Sequence, residues 1–501
     1  MTHDRRVPDG DLIHHGGAPQ LIAYADRLGG TLNGLRDLLD GPLAGAFGGV
    51  HVLPFYLPYD GADAGFDPQD HCAVDPRLGT WQDLRDLGIG RTIMADVIVN
   101  HMSADSARFK DVRAKGEASR WFGIFLTFSS VFPDGATEED LARIYRPRPG
   151  LPFTAMTLGD HRRLVWTTFT PAQVDLNLTN PIGWDYIASV IDTLTDAGVT
   201  LLRLDAVGYS GKEAGTDCFM TPSAYDLMDR ITRHAHGRGA EVLVEVHGHY
   251  HQQIDIAERV DYVYDFALPP LVLHALTTAD LQPLGAWLDV RPANTFTVLD
   301  THDGIGIVDV GPSALLPGEP GLLEPEQIDA LVEQIHENSC GTSRRSTGAA
   351  ASNLDLYQVN CTFYDALGQD DRLYLMARLI QLFVPGTPQV YYVGLLAGVN
   401  DMDLLDRTGV GRDVNRHHYT AVEIGEALDR PVVKALIGAL RLRAAHPAFH
   451  GTFNCTMEGT RASLAWHNDE DVASLDLDVA ARTYRVSVSE PGARVSIAAW
   501  E

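Results

Sequence analysis

Eight short apolar runs rich in β-branched residues recur along the chain, with amphipathic stretches between them, and this alternation most constrains the fold. The first four are Leu21 to Asp26 ("LIAYAD"), Gly49 to Tyr56 ("GVHVLPFY"), Arg91 to Asn100 ("RTIMADVIVN") and Val199 to Gly208 ("VTLLRLDAVG"). The other four are Ala240 to His247, Val260 to Leu268, Asn294 to Asp303 and Thr387 to Gly394. Several are apolar on both faces, as strands buried in a parallel sheet must be. The stretches between them carry helical periodicity. One of these, "WDYIASVIDTLTDAG" (Trp184 to Gly198), ends on a glycine suited to a helix C-terminus. Eight strand–helix units predict an α/β fold, a (β/α)8 TIM barrel.

Two gaps exceed any ordinary barrel loop. Residues 102–179, rich in Pro, Gly and aromatics, predict a subdomain inserted after the third strand. Residues 305–369 predict a second insertion after the seventh. Such insertions lie at the C-terminal face of a barrel, where active sites are built. Over 449–501 the texture changes to short alternating strands ("ASLAWHN", "VASLDLDV"), predicting a small C-terminal β domain. The barrel then takes 19–101, 180–304 and 370–448, and residues 1–18 form a polar N-terminal arm.

Composition removes some function classes. The 501 residues carry a net charge of −28, which argues against a nucleic-acid groove or an anionic membrane surface as partner. Five scattered cysteines, with no CxxC pair, fit free thiols in a reducing compartment better than a disulfide framework or a zinc site. The N-terminus has no apolar leader pattern and no run approaches a membrane span, so a cytoplasmic location is expected. No acidic cluster demands calcium, and neither a metal nor a cofactor is expected.

Polar groups collect where the strand candidates end. The third gives Asp96, Asn100 and His101; the fourth gives Arg203, Asp205 and Tyr209. The fifth gives Glu245 and His247; the seventh gives Asp300, His302 and Asp303. A single acid at a strand end commonly caps a helix or meets a cation. In a barrel these ends converge on one pocket, and paired carboxyls in a pocket are what glycosidic-bond chemistry requires. One must be ionised to attack the anomeric carbon, and the other must hold a proton for the leaving oxygen. Arg203 lies two residues before Asp205, so both point to one face of a strand, and its charge is expected to keep Asp205 ionised. Glu245, on the next strand, can approach from the leaving-group side. His101 and His302 are placed to hydrogen-bond sugar hydroxyls.

The segments "DVIVNH", "RLDAVGY", "EVHGHY" and "LDTHD" resemble the four signature regions of the α-amylase superfamily of glycoside hydrolases. That resemblance implies Asp205 as nucleophile, Glu245 as acid/base and Asp303 as stabiliser of the transition state. Longer segments resemble a group within that superfamily, the sucrose phosphorylases. They include "DGADAGFDPQDHCAVDPRLGTW", "IYRPRPGLPF", "KEAGTDCFMTP", "GAAASNLDLYQVN" and "GRDVNRHHY". What this implies is a glucosyl pocket closed by Asp63 and Arg412, floored by Phe66 and Tyr209, and flanked by Arg203, His101 and His302. On the acceptor side it implies Pro147, Arg148, Asp355, Leu356, Tyr357 and Gln358, with His247 nearby. The implied partners are sucrose, inorganic phosphate, glucose 1-phosphate and fructose, on a monomer or homodimer. Rival readings are a phosphorylase of sucrose 6-phosphate, glucosylglycerol or glucosylglycerate, an α-glucosidase-type hydrolase, and a non-catalytic sugar binder.

Overall fold

The computed structural model describes residues 17–147, 150–313, 318–349, 358–490 and 493–500. Eight parallel strands close into a barrel. They are β1 (Gln20–Ala23), β2 (Gly49–Val52), β3 (Thr92–Ile98) and β4 (Leu201–Asp205), then β5 (Glu241–Val244), β6 (Tyr262–Asp265), β7 (Thr295–Thr297) and β8 (Thr387–Tyr391). Each overlaps one of the eight apolar runs, so the fold class expected from the alternation is the one observed. The strands are buried on both faces; every residue of β4 and β5 is shut from solvent. Their packing and that of the outer helices form one continuous core.

The helix Pro181–Asp196 shows how local sequence sets the connections. Asn180 accepts from Ile182 N at its start, and Pro181 occupies a first-turn position where no amide donor is needed. Tyr186, Ile187, Val190, Ile191 and Leu194 form the stripe that packs on the barrel. Gly198, with φ +89°, takes the left-handed turn that leads into β4.

Chain between β3 and β4 builds a lobe over the barrel mouth. Its strand Gln173–Asp175 pairs antiparallel with His101–Ser103, which ties the lobe to the end of β3. The lobe has a small core of its own, including Leu126, Phe132, Ile144 and Trp166. Chain between β7 and β8 adds the helices Pro325–Asn338 and Thr342–Ala349 and the short strand Gln358–Val359, which pairs with Ile305–Gly306. After β8 the chain ends in a five-stranded antiparallel sheet: β9 (Thr452–Glu458), β10 (Arg461–Asn468), β11 (Asp471–Asp478), β12 (Thr483–Glu490) and β13 (Ala493–Trp500). Trp466 fastens this sheet to the barrel by donating from Nε1 to Phe383 O at 2.6 Å. Among the described residues no helix is long and apolar enough to cross a membrane, and all five cysteines are free.

Candidate active site

The C-terminal ends of the strands surround an open-mouthed cavity of about 740 Å³. β3 and β4 pair with Arg203 beside Asp96, and β4 pairs with β5, so register alone brings the two acids at the ends of β4 and β5 together. Arg203 is their common partner. It donates to Asp96 at 2.5 Å and to Asp205 at 2.9 Å, and its other nitrogen stands 3.7 Å from Glu245. The chain turns sharply just after Asp205. Ala206 has φ +53°, left-handed backbone that costs a side-chain-bearing residue about 1 kcal/mol. That turn aims the Ala206 amide at Glu245 Oε2, 3.4 Å away.

The expectation that Arg203 keeps Asp205 ionised needs correcting. Burial pushes the Asp205 carboxyl well up, and Arg203 does not offset it because Glu245 and Asp96 crowd the same guanidinium. Asp96 draws most strongly on that charge. Though burial opposes ionisation there as well, His51 and Arg203 hold Asp96 down at about 2.

The far end of the pocket is closed by charge. Arg412 donates to Asp303 at 2.5 Å and to Asp63 at 3.2 Å, and so bridges two acids 240 residues apart in sequence (303 against 63). Arg416, fully buried, stands behind both at 3.6 and 3.8 Å. Burial works against charge on Asp303, yet His302, Arg412 and Arg416 hold it well below the usual carboxylate range. His302 itself is pushed down to about 3 by burial, so it presents a neutral ring at neutral pH.

The aromatic expectations divide. Phe66 and His302 stack with centroids 4.5 Å apart and planes within 8°. Tyr209 belongs to a second group with Tyr145, Phe169 and Phe219. Both line the cavity. His101 also lines it, with Nε2 donating to Phe66 O at 2.9 Å, so this ring first of all positions Phe66. On the open side stand Pro147, Gln358 and His247. Arg148, Asp355, Leu356 and Tyr357 lie outside the described residues. Asp300, grouped with the pocket acids by its place in the sequence, is instead locked to Arg378 at 2.5 Å behind the site.

Three contributors went unread in the sequence. Gln173, on the lobe, reaches His101 at 3.1 Å and Asp63 at 3.4 Å. Lys212 pairs with Asp175 at 2.7 Å and holds Tyr209 O at 2.6 Å, with both charged ends shut from solvent. Asp309, fully buried, meets His247 Nδ1 at 2.9 Å and accepts from Gly248 N and Gln253 Nε2 at 3.2 Å. Lys212 stands inside the "KEAGTDCFMTP" segment, which was a usable signal; Asp309 and Gln173 gave none.

A parallel barrel with an acid on each of two adjacent strand ends, a third acid after β7 and a lobe after β3 defines an α-amylase-type catalytic domain. The chain belongs to that family: the family described as "Alpha amylase, catalytic domain" matches residues 8–259. Within it, the chain is 54% identical over 461 residues to the sucrose phosphorylase of Bifidobacterium adolescentis, covering 92% of each protein. It is 56% identical over 459 residues to the sucrose phosphorylase of Agrobacterium vitis, covering 91% of this chain and 94% of that one. The crystal structure of sucrose 6F-phosphate phosphorylase from Thermoanaerobacter thermosaccharolyticum superposes with a TM-score of 0.87 at 35% identity, covering 96% and 97% of the two chains.

Proposed function

We propose that the chain catalyses the sucrose phosphorylase reaction, the reversible, retaining transfer of a glucosyl unit from sucrose to phosphate. The products are α-D-glucose 1-phosphate and fructose. The observation that carries this is the closed end of the pocket. Arg412 spans Asp63 and Asp303 at one end of the cavity that also holds Asp205 and Glu245, an arrangement that suits a site for one terminal sugar. The two sucrose phosphorylases at 54% and 56% identity support the choice of substrate.

The chemistry follows from the pocket's charges. Asp205 attacks C1 of the glucosyl unit while Glu245 gives its proton to the departing fructose oxygen. The step needs one proton on the pair, held by Glu245. Retention asks for carboxyls about 5 Å apart, a spacing adjacent barrel strands supply. Asp303, kept anionic by Arg412 and Arg416, faces the oxocarbenium-like charge at the transition state. Phosphate then attacks the β-glucosyl ester of Asp205, and Glu245 takes up the proton that phosphate sheds. Other hydroxyl acceptors can enter the same space and give transglucosylation. Phe66 and Tyr209 would hold the two faces of the sugar. Arg148, Asp355, Leu356 and Tyr357 complete the acceptor side in this reading, Asp355 serving fructose and Tyr357 phosphate. Free thiols throughout the chain suit a cytoplasmic location, for a monomer or homodimer. The proposal keeps the barrel as 19–101, 180–304 and 370–448, with the arm 1–18, insertions 102–179 and 305–369, and the β domain 449–501.

The test is incubation with sucrose in the presence and absence of phosphate. Phosphate-dependent glucose 1-phosphate with equimolar fructose is the expected result. Release of free glucose at the same rate without phosphate would instead assign a hydrolase.

A dianion entering this acidic site needs a cation, and His247 supplies one. Burial opposes its charge, but Asp309, with Glu245 and Asp303, raises it to about 8. Its ring stacks on Phe266 at 3.9 Å, and the Gln358 side chain lies 3.4 Å from Nε2. Because the folded value lies above the ordinary 6.5, the charged contact contributes fully below about pH 6.5 and is lost as pH rises through about 8. In Asp309→Asn that limb moves to lower pH. At pH 7 the KM for phosphate rises about tenfold, the worth of one charge-assisted hydrogen bond, while glucosylation by sucrose changes less. Equal losses in both half-reactions, with no shift in the pH profile, would reduce Asp309 to a packing role.

A further inference from the structure

Three imidazoles follow one another after β5: His247, His249 and His251. The pocket uses only the first. His249 caps the helix Tyr250–Ala257 and is 6% exposed. His251 turns outward to meet Glu319, which arrives from the chain between β7 and β8. Each of His249, His251 and Glu319 offers a donor atom, and the three atoms lie within 4.8 Å of one another. We propose that these three residues bind one late first-row divalent cation, Zn²⁺ or Ni²⁺, beside the pocket.

The donor set selects the class of ion. Two imidazoles and one carboxylate suit zinc, nickel, cobalt and copper, whereas calcium and magnesium ask for a shell of oxygens. Three protein ligands also leave a fourth position open for water.

The supporting shell is in place. Pro320 O can only accept, so His249 Nε2 carries the proton in their 3.0 Å contact. That fixes the tautomer; the Nδ1 lone pair accepts the capping bond from the His251 amide, a long contact of 3.4 Å that a cation would replace. A backbone carbonyl holding the far nitrogen of a ligating histidine is the usual outer partner of a metal-bound imidazole.

Ligand bonds of about 2.0–2.2 Å put donor atoms roughly 3.3 Å apart, so the widest pair, at up to 4.8 Å, must close by about 1.5 Å. It is built to do so. His249 is fixed by burial, while the side chains of His251 and Glu319 are 48% and 26% exposed. A plain His251–Glu319 ion pair would account for two of the residues. The His249 ring, brought close by its cap bond to His251 N, sits 4.9 Å from that of His251, at 73°.

No sequence spacing announces this site, because Glu319 lies 68 residues beyond His251. A bound cation would pin the segment that starts with Glu245 and His247 to the segment that contains Glu319. The latter is already tied beside Asp309, through Leu323 N to Val310 O at 2.9 Å.

Equilibrium dialysis of the full-length enzyme against Zn²⁺, with Co²⁺ as a spectroscopic probe, tests the proposal. The expected result is one tight equivalent per chain and the visible absorption of tetrahedral cobalt. His251→Gln and Glu319→Gln should each weaken binding at least about tenfold. His236→Gln, removing a surface histidine paired with Asp261, should leave it unchanged. Binding in His251→Gln or Glu319→Gln as tight as in the unaltered enzyme would overturn the proposal, as would no stoichiometric uptake by the unaltered enzyme.

Discussion

Asp205→Asn loses sucrose phosphorolysis by about ten-thousandfold in kcat, a barrier higher by about 5 kcal/mol. The substitution is nearly isosteric, so the arginine–acid cluster keeps its shape: Arg203 still donates to Asp96 at the base of β4. What disappears is the atom that bonds to C1. No neighbour replaces it. Asp96 is fully buried behind Arg203, and Asp303 is engaged by Arg412 at the closed end. The reaction therefore loses its covalent route rather than one stabilising contact. Sucrose binding should change little, because Asp63, Arg412, Phe66 and His302 are untouched. Glu245→Gln loses less, since its task is proton transfer, worth a factor of about 10² to 10⁴. Single-turnover kinetics with mass detection of the intact enzyme separate the two variants. Asp205→Asn accumulates no glucosyl-enzyme. If Asp205→Asn kept kcat within tenfold, or if a glucosyl adduct mapped to another residue, the assignment of the nucleophile would fall.

The barrel was readable because several of its strands are apolar on both faces, a pattern that little besides a covered parallel strand produces. The reacting acids were readable for a related reason. Parallel order places every strand's C-terminal end on one face, so Asp205, Glu245 and Asp303 had to meet. Physical state was harder to read than position. Whether Arg203 could keep Asp205 ionised depended on how many acids share one guanidinium, and Asp96, on another strand, takes much of it. Residues that act through others were hidden as well. Asp309 reaches back 62 residues to His247, and Gln173 reaches back 110 to Asp63; neither partner is implied by local periodicity. Asp300 failed in the opposite sense. It has the right place in the sequence, but Arg378, from the helix that precedes β8, draws it behind the site.

Arg412→Ala, on the binding side, gives a fall in kcat/KM of about 10² to 10³. Arg412 is the bridge between Asp63 and Asp303, and removing it leaves two carboxylates facing each other across a pocket only 14–21% exposed on either side. Breaking a buried pair from one side costs about 3–5 kcal/mol, since the remaining charge loses its partner without regaining water. Arg416 moderates the loss. It remains at 3.6 Å from Asp303 and 3.8 Å from Asp63, so the lower part of that range applies. Much of the loss should fall on KM, because the terminal sugar loses its wall, and part on kcat, because Asp303 is less surely charged at the transition state. The pH profile discriminates between these. In the unaltered enzyme Asp303 is held so far down that its protonation does not limit the acid side. Without Arg412 its carboxyl rises, so the variant loses kcat as pH falls into the ordinary carboxylate range, where the unaltered enzyme does not lose it through this group. Arg412→Lys retains the charge but not the fork that reaches two acids at once, and should recover the acid limb more fully than KM. Activity within threefold of the unaltered enzyme in Arg412→Ala, with an unchanged acid limb, would show that Arg416 alone closes the glucosyl pocket.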